Sequence, residues 1–253
     1  MLDILKVSLN QGHQFVPDDR TATLKPPFRG FPILRSDKCT QCAVCVSLCP
    51  SKAITLEPSL SIDLGKCIQC GECERECSVH AIQFTQSHHL GADSREKLFV
   101  TAELNYENYK KRAFTARKNI HALFGRSLKL RSVSAAGCNA CEMELNAADN
   151  VNFDMERFGI EIVASPRHAD GIVITGPISD NMACALEDAF HCTPDPKIVI
   201  AMGSCAISGG IFHDSPAINR IFYQKHPVDI YIPGCPTHPL TFINAVLDFL
   251  NVK

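Results

Sequence analysis

The spacing of apolar residues changes character along the chain. Leu2, Leu5 and Leu9 fall at helical intervals, and a loop with Pro17, Pro26 and Pro27 follows, so residues 1–30 read as a short arm. Residues 31–87 hold only short apolar runs, too small to build a core unaided. Over residues 88–128, Ala113, Ala116, Ile120, Leu123 and Phe124 recur every three or four positions, which predicts one apolar stripe on a connecting helix. From residue 129 to 253 the rhythm becomes that of alternating strands and helices. The runs at 161–164, 172–175, 197–201 and 229–232 are β-branched and apolar, with helix-like stretches between them, and this predicts a parallel α/β sheet.

Composition narrows the class. A chain of 253 residues with 45% hydrophobic content is an ordinary globular protein of one or two domains. No apolar run is long enough to span a bilayer, and no charged-then-apolar leader or twin-arginine signal opens the sequence. A net charge of -2 argues against a nucleic-acid partner. Charge is nevertheless uneven, because residues 109–131 carry eight Lys or Arg and no Asp or Glu. A helix there either docks on a partner or an anionic membrane surface, or is a solvated linker whose cations offset nearby negative groups.

Cysteine carries the chemistry. Twelve of the fourteen cysteines form three sets of four. Cys39, Cys42, Cys45 and Cys49 repeat 28 residues later as Cys67, Cys70, Cys73 and Cys77, each with the spacing C-x2-C-x2-C-x3-C. The duplication extends beyond the thiols, since Lys38 matches Lys66, Gln41 matches Gln69, and Ala53-Ile54 matches Ala81-Ile82. Three thiolates at three-residue intervals can wrap three corners of a 4Fe-4S cube. In two-cluster ferredoxins the fourth cysteine of each run ligates the other cluster. Carried over, one cluster takes Cys39, Cys42, Cys45 and Cys77, and the other takes Cys67, Cys70, Cys73 and Cys49. Zinc sites favour two separated pairs, and disulfide frameworks favour short secreted chains, so neither template fits four thiols in eleven residues. A body built on so small a core draws much of its stability from the metal.

The third set, Cys138, Cys141, Cys205 and Cys235, is dispersed and needs folding to gather it. Cys205 and Cys235 directly follow strand-like runs, where parallel sheets place their ligands, and Cys138 and Cys141 precede a helix whose N-terminus favours an anion. Gly137, Gly203, Gly209, Gly210 and Gly234 crowd the same loops and allow close backbone approach. The sequence thus predicts three 4Fe-4S clusters, two in a ferredoxin-like domain at 31–87 and one in a flavodoxin-like parallel α/β domain at 129–253.

Several stretches carry a family resemblance. Gly137-Cys138-Asn139-Ala140-Cys141-Glu142, Ser165-Pro166-Arg167-His168-Ala169-Asp170, Gly203-Ser204-Cys205-Ala206, the run from Ser208 to Asp214, and Pro233-Gly234-Cys235-Pro236 resemble the small subunit of membrane-bound group 4 nickel-iron hydrogenases, the formate hydrogenlyase type included. The same fold is the cluster-bearing subunit of complex I. Two residues separate Cys138 from Cys141, as on the hydrogenase side, whereas complex I proteins set these two cysteines side by side. Ala140 stands where the hydrogenase pattern has Gly, and Thr237-His238 replaces the usual pair after the last cysteine. The N-terminal part, with Phe28-Arg29-Gly30 ahead of the first run, resembles the two-cluster ferredoxin subunit of those complexes, so the chain resembles a fusion of two neighbouring subunits.

The resemblance implies an electron-transfer subunit of an oxidoreductase whose catalytic centre lies in a partner. Electrons would pass between a ferredoxin or formate dehydrogenase-type donor and a nickel-iron hydrogenase-like large subunit, with integral membrane subunits coupling the reaction to ion transport. The expected location is peripheral, on the cytoplasmic side of the cell membrane. Glu142 and Glu144 suit a helix start or a proton path, and Arg167 and His168 suit either contact with the third cluster or an ion pair with Asp170. Cys184 and Cys192 read as inert buried thiols, and His88-His89 as surface or loop residues.

Overall fold

The computed structural model describes residues 2–12, 15–115 and 127–252. The sequence repeat folds as a repeat with exchanged strands. β1 (Pro32–Leu34) pairs antiparallel with β4 (Ile82–Phe84), and β2 (Ile54–Thr55) pairs antiparallel with β3 (Ser61–Asp63). Each hairpin-like pair therefore joins one strand from each repeat, so neither repeat is complete alone. Between the strands lie α2 (Val44–Leu48) and α3 (Glu72–Arg75), which start after Ala43 and Gly71 in left-handed conformation.

The segment at 88–115, expected as part of a linker, is built into this body. β5 (Phe99–Thr101) adds to β3 with Val100 opposite Ile62, and α4 (Tyr106–Ala113) follows, capped by Asn105 accepting from the Asn108 N–H at 2.8 Å. Leu90, Ala92, Leu98, Val100 and Tyr109 are buried in one core with Phe31, Ile62 and Ile82. The Tyr109 hydroxyl donates to the Leu90 carbonyl at 2.6 Å, and its ring lies 5.0 Å from that of Phe31. Two strand pairs give too little apolar surface for a stable core, and these residues supply the rest. The apolar stripe expected from Ala113 to Phe124 lies outside the described residues from Ala116 onward.

The second domain is a five-stranded parallel sheet. Its strands are β6 (Leu128–Ser134), β7 (Ile160–Ile162), β8 (Gly171–Thr175), β9 (Ile198–Met202) and β10 (Ile230–Ile232), in the spatial order β10-β9-β8-β6-β7. Numbered within the domain this is the flavodoxin-like order 2-1-3-4-5, with its switch point between β6 and β8. Every residue of β8 and β9 is buried, as required of central strands covered on both faces. Alternate residues serve opposite cores. Val173, Ile198 and Ile200 face α5 (Ala140–Ala148) and α9 (Pro239–Phe249), while Ile172, Ile174 and Val199 pack with Leu186 of α6 (Asp180–Cys192).

The two domains share packing. Ala201, Ala206 and Ile207 of the sheet domain belong to the N-terminal core, and Ala92 and Tyr231 exchange backbone hydrogen bonds at 2.9 and 2.8 Å. The arm lies along α9: the Arg20 guanidinium donates to the Asn244 side chain at 3.0 Å and to Asp248 at 2.6 Å. His88 and His89, expected as surface or loop residues, lie in a loop that is buried at this seam. The Asn244 amide donates to His88 Nε2 at 3.3 Å, and burial pushes His88 down to about 3. Among the described residues no helix is long and apolar enough to cross a membrane.

Candidate metal centres

Strand exchange between the repeats brings each fourth cysteine to the other run. Cys39, Cys42, Cys45 and Cys77 line one cavity, walled by Leu56, Leu60 and Ile82. Cys49, Cys67, Cys70 and Cys73 line a second, walled by Ile54, Ile62 and Phe84. Among the described residues no three His, Cys, Asp or Glu side chains close to the spacing of a single ion. The thiols instead surround a space.

The backbone is wound the same way around both cavities. Gln41 and Gln69 have φ of 55° and 56°, and Lys52 and His80 both have φ of 50°. Left-handed conformation at a non-glycine residue is costly, and here it recurs at equivalent sites of both repeats. It turns amide groups toward sulfur. The Ala53 N–H donates to Cys49 Sγ and the Ala81 N–H to Cys77 Sγ, both at 3.2 Å, and Gln69 N–H donates to Cys67 Sγ at 3.4 Å. Such N–H···S bonds stabilise anionic sulfur and tune the potential of a bound cluster.

Burial pushes the Cys67 and Cys73 thiols up to about 12, and neighbouring thiolates add to the rise. These groups keep their protons unless a cationic core displaces them. A donor set of four crowded thiols in an apolar cavity, with amides aimed at sulfur, fits a 4Fe-4S core, and loading it would release protons.

The third set assembles at the carboxyl ends of the strands. Cys138 follows β6 at the switch point, Cys141 lies in the first turn of α5, Cys205 in the first turn of α7 (Ser204–Ser208), and Cys235 follows β10. Burial pushes Cys141 up to about 12 and Cys205 to about 11, with repulsion from Cys235 contributing to both and from Cys138 to Cys205. Two glycines make the room. A Cβ on Gly203 would lie 2.7 Å from Cys141 Sγ, and one on Gly210 would lie 2.9 Å from Cys205 Sγ.

The three sites adjoin one another. Cys45 of the first cavity acts electrostatically on Cys73 of the second, and Cys70 of the second acts on Cys235 of the third. The Ser204 hydroxyl donates to the Cys67 carbonyl at 2.7 Å, joining a loop of each domain. Arg29 packs on Gly71, where a Cβ would meet its Nε at 2.3 Å, and donates to the Gln69 carbonyl at 3.4 Å. It sets a cation against the loop of the second cavity. Phe28 meets the ring of His238 edge-on at 5.4 Å, three residues beyond Cys235. No sequence pattern announces Ser204 as a domain link, because its acceptor lies 137 residues away.

Other candidates fall differently. Glu142 accepts from the Thr175 hydroxyl at 2.6 Å beside the third set, and burial raises the Glu144 carboxyl. Arg167 and His168 are exposed after the edge strand β7, and the Asp170 carboxylate caps the Lys129 N–H at 2.7 Å instead of pairing with them. Cys184 and Cys192 are exposed, contrary to expectation, because α6 turns Leu186 inward and these two positions outward.

Two family models match separate parts of the chain. The family model for the NADH ubiquinone oxidoreductase 20 kDa subunit matches residues 138–249, and that for the 4Fe-4S dicluster domain matches residues 38–81. The chain is 41% identical over 123 residues to the probable membrane-bound hydrogenase subunit mbhJ of Pyrococcus furiosus, covering 49% of this chain and 74% of that one. It is 46% identical over 114 residues to formate hydrogenlyase subunit 7 of Escherichia coli, 45% of each chain, and so spans under half of that relative. With a subunit of the NADH-quinone oxidoreductase of Heliobacterium modesticaldum it shares 44% identity over 121 residues, 47% of this chain and 67% of the other. The chain therefore belongs to the NADH ubiquinone oxidoreductase 20 kDa subunit family of oxidoreductase subunits, and carries an iron-sulfur dicluster domain ahead of the family fold.

Proposed function

We propose that this chain is the electron-relay subunit of a membrane-associated, hydrogenase-type complex of the formate hydrogenlyase kind, holding three 4Fe-4S clusters. The first is held by Cys39, Cys42, Cys45 and Cys77, the second by Cys49, Cys67, Cys70 and Cys73, and the third by Cys138, Cys141, Cys205 and Cys235. A 4Fe-4S cluster supplies reversible one-electron storage at a potential set by its surroundings. The chain's own residues hold sulfur, exclude water and aim amides at it. The observation that carries this reading is the gathering of the cysteines into sites that include the fourth thiol of the opposite run, with the Ser204 hydroxyl bonded to the Cys67 carbonyl at 2.7 Å joining the second site to the third.

Electrons would enter from a ferredoxin or formate dehydrogenase-type donor at the first site. They would leave from the third site to a nickel-iron large subunit, where Cys138 and Cys235 are exposed. Membrane subunits would then couple the reaction to ion transport, with this chain peripheral on the cytoplasmic side. The two residues between Cys138 and Cys141 favour the hydrogenase branch. The identity with a quinone oxidoreductase subunit favours a second reading, in which the large subunit lacks nickel and passes electrons to quinone. Anaerobic purification of the tagged chain from membranes separates them. Nickel in the complex and hydrogen evolution from reduced viologen are expected; an intact membrane complex with iron and neither of these would overturn the hydrogenase reading.

A further inference from the structure

We infer that Ser204 is the positioning residue for electron passage between the second and third sites, through the hydrogen bond its side chain makes across the domain boundary. Its side chain is only 1% exposed. It has one proton to donate and two carbonyls in range, Cys67 at 2.7 Å and Gly234 at 3.2 Å. The shorter contact takes the proton. The Ser204 N–H separately donates to Gly234 at 2.9 Å, so the Cys235 loop stays anchored whatever the hydroxyl does. The side chain is thus left to serve the domain boundary.

Its position in sequence gives the bond its consequence. Cys67 belongs to the second set, and Ser204 is covalently joined to Cys205 of the third. A path of ordinary bonds interrupted by one short hydrogen bond therefore runs from Cys67 through its carbonyl, the Ser204 hydroxyl and the next peptide to Cys205. Between Cys70 and Cys235 the influence is electrostatic only, with no bonded path joining them. Electron tunnelling weakens steeply with unbonded gaps, so the hydroxyl serves twice: it fixes the separation of the two loops and bridges it. One electron given up at the second site is taken up at the third, with no proton or bond exchanged. A half-buried carbonyl without its donor would also pull the Cys67 loop toward water and widen the gap.

This inference rests on the three-cluster reading, and the test separates the two. The full chain is purified anaerobically as wild type, Ser204→Ala, Ser204→Cys and Ser204→Thr. Iron and acid-labile sulfide are counted, and paramagnetic resonance of the reduced protein records the magnetic interaction between clusters. Pulsed reduction then gives the rate at which the second and third centres equilibrate. Wild-type cluster content with weakened interaction and several-fold slower equilibration is expected for the alanine variant, with an intermediate loss for the weaker thiol donor and recovery with threonine. Should the alanine variant fail to load, the cysteine variant carries the same comparison. Equal interaction and rate in fully loaded wild type and variants would overturn the role of Ser204 alone. A wild-type chain holding fewer than three clusters would overturn both readings.

Discussion

In the N-terminal body, three cysteines of each set lie within seven residues of sequence, and folding supplies only the fourth, whereas the third set is drawn from positions as far apart as Cys138 and Cys235. The first arrangement needs little fold to approximate a site, and its core is correspondingly thin: strands of two or three residues, completed by the segment around Leu90, Leu98 and Tyr109. The second needs a finished five-stranded sheet before any site exists, and that sheet has a dense apolar core on both faces. Causality runs in opposite directions in the two domains. On the three-cluster reading, metal would hold the body together, while the sheet would hold its metal.

Removal of iron is expected to have the largest effect. Chelation under anaerobic reducing conditions should leave residues 127–252 protease-resistant and open residues 31–115 to cleavage. Loss of about 3 kcal/mol or more in a domain of this size lowers its midpoint by roughly 15 °C. Equal protection in both halves would contradict the account. Single ligand substitutions separate the two domains. Cys77→Ser should lower both iron content and the thermal midpoint of the body, whereas Cys235→Ser should lower iron by about one cluster in three and leave that midpoint unchanged, measured by iron assay and calorimetry.

A purely organic clamp in the body gives a smaller effect. The Arg95 guanidinium donates to both oxygens of buried Asp63, at 2.7 and 2.5 Å, and Asp63 also accepts from the Gly65 N–H at 2.9 Å just before Cys67. Arg95→Met strands that carboxylate, and because Arg95 is partly exposed the expected cost is about 2 kcal/mol by denaturant unfolding of the loaded protein. Acid probes the seam between arm, body and sheet. His88 is held near 3 by burial, with His89, His238 and Lys110 also disfavouring its protonation, and burial holds His238 near 4. Both lie below the unfolded value of about 6.5. Their contribution is therefore complete above pH 6.5 and is lost as pH falls toward 4, by up to about 1.4 kcal/mol per pH unit for each group. His88→Gln should flatten that slope in pH-resolved melting; an unchanged slope would remove His88 from the cause. The smallest effect belongs to the exposed interdomain pair Lys52–Asp214 at 2.6 Å, where Lys52→Ala should cost under about 0.5 kcal/mol and vanish in high salt.

The repeat at a 28-residue offset made the strand exchange foreseeable, because a cysteine borrowed from the other run requires the runs to face each other. Four strands of the sheet were equally legible as β-branched runs. The interior strand β6 was not, since Lys129, Arg131 and Ser132 interrupt its buried Leu128, Leu130 and Val133 and draw it into the basic run before it. Residues 88–115 were hidden for another reason. Their apolar positions have no period of their own and acquire meaning only against Phe31 and Ile62 of the repeat. His88 and His89 are buried by Asn244, Asp248 and Arg20, partners brought from both ends of the chain. Long-range partners leave no local trace, and the same holds for Ser204 and Cys67.

Three adjoining sites would hold three clusters in succession across the two domains. Redox-titrated paramagnetic resonance of the anaerobically purified chain tests this most directly, with iron counted in the same sample. The account predicts three one-electron 4Fe-4S centres with magnetic interaction between neighbours. Iron for only two centres, or three centres with no mutual interaction, would contradict it.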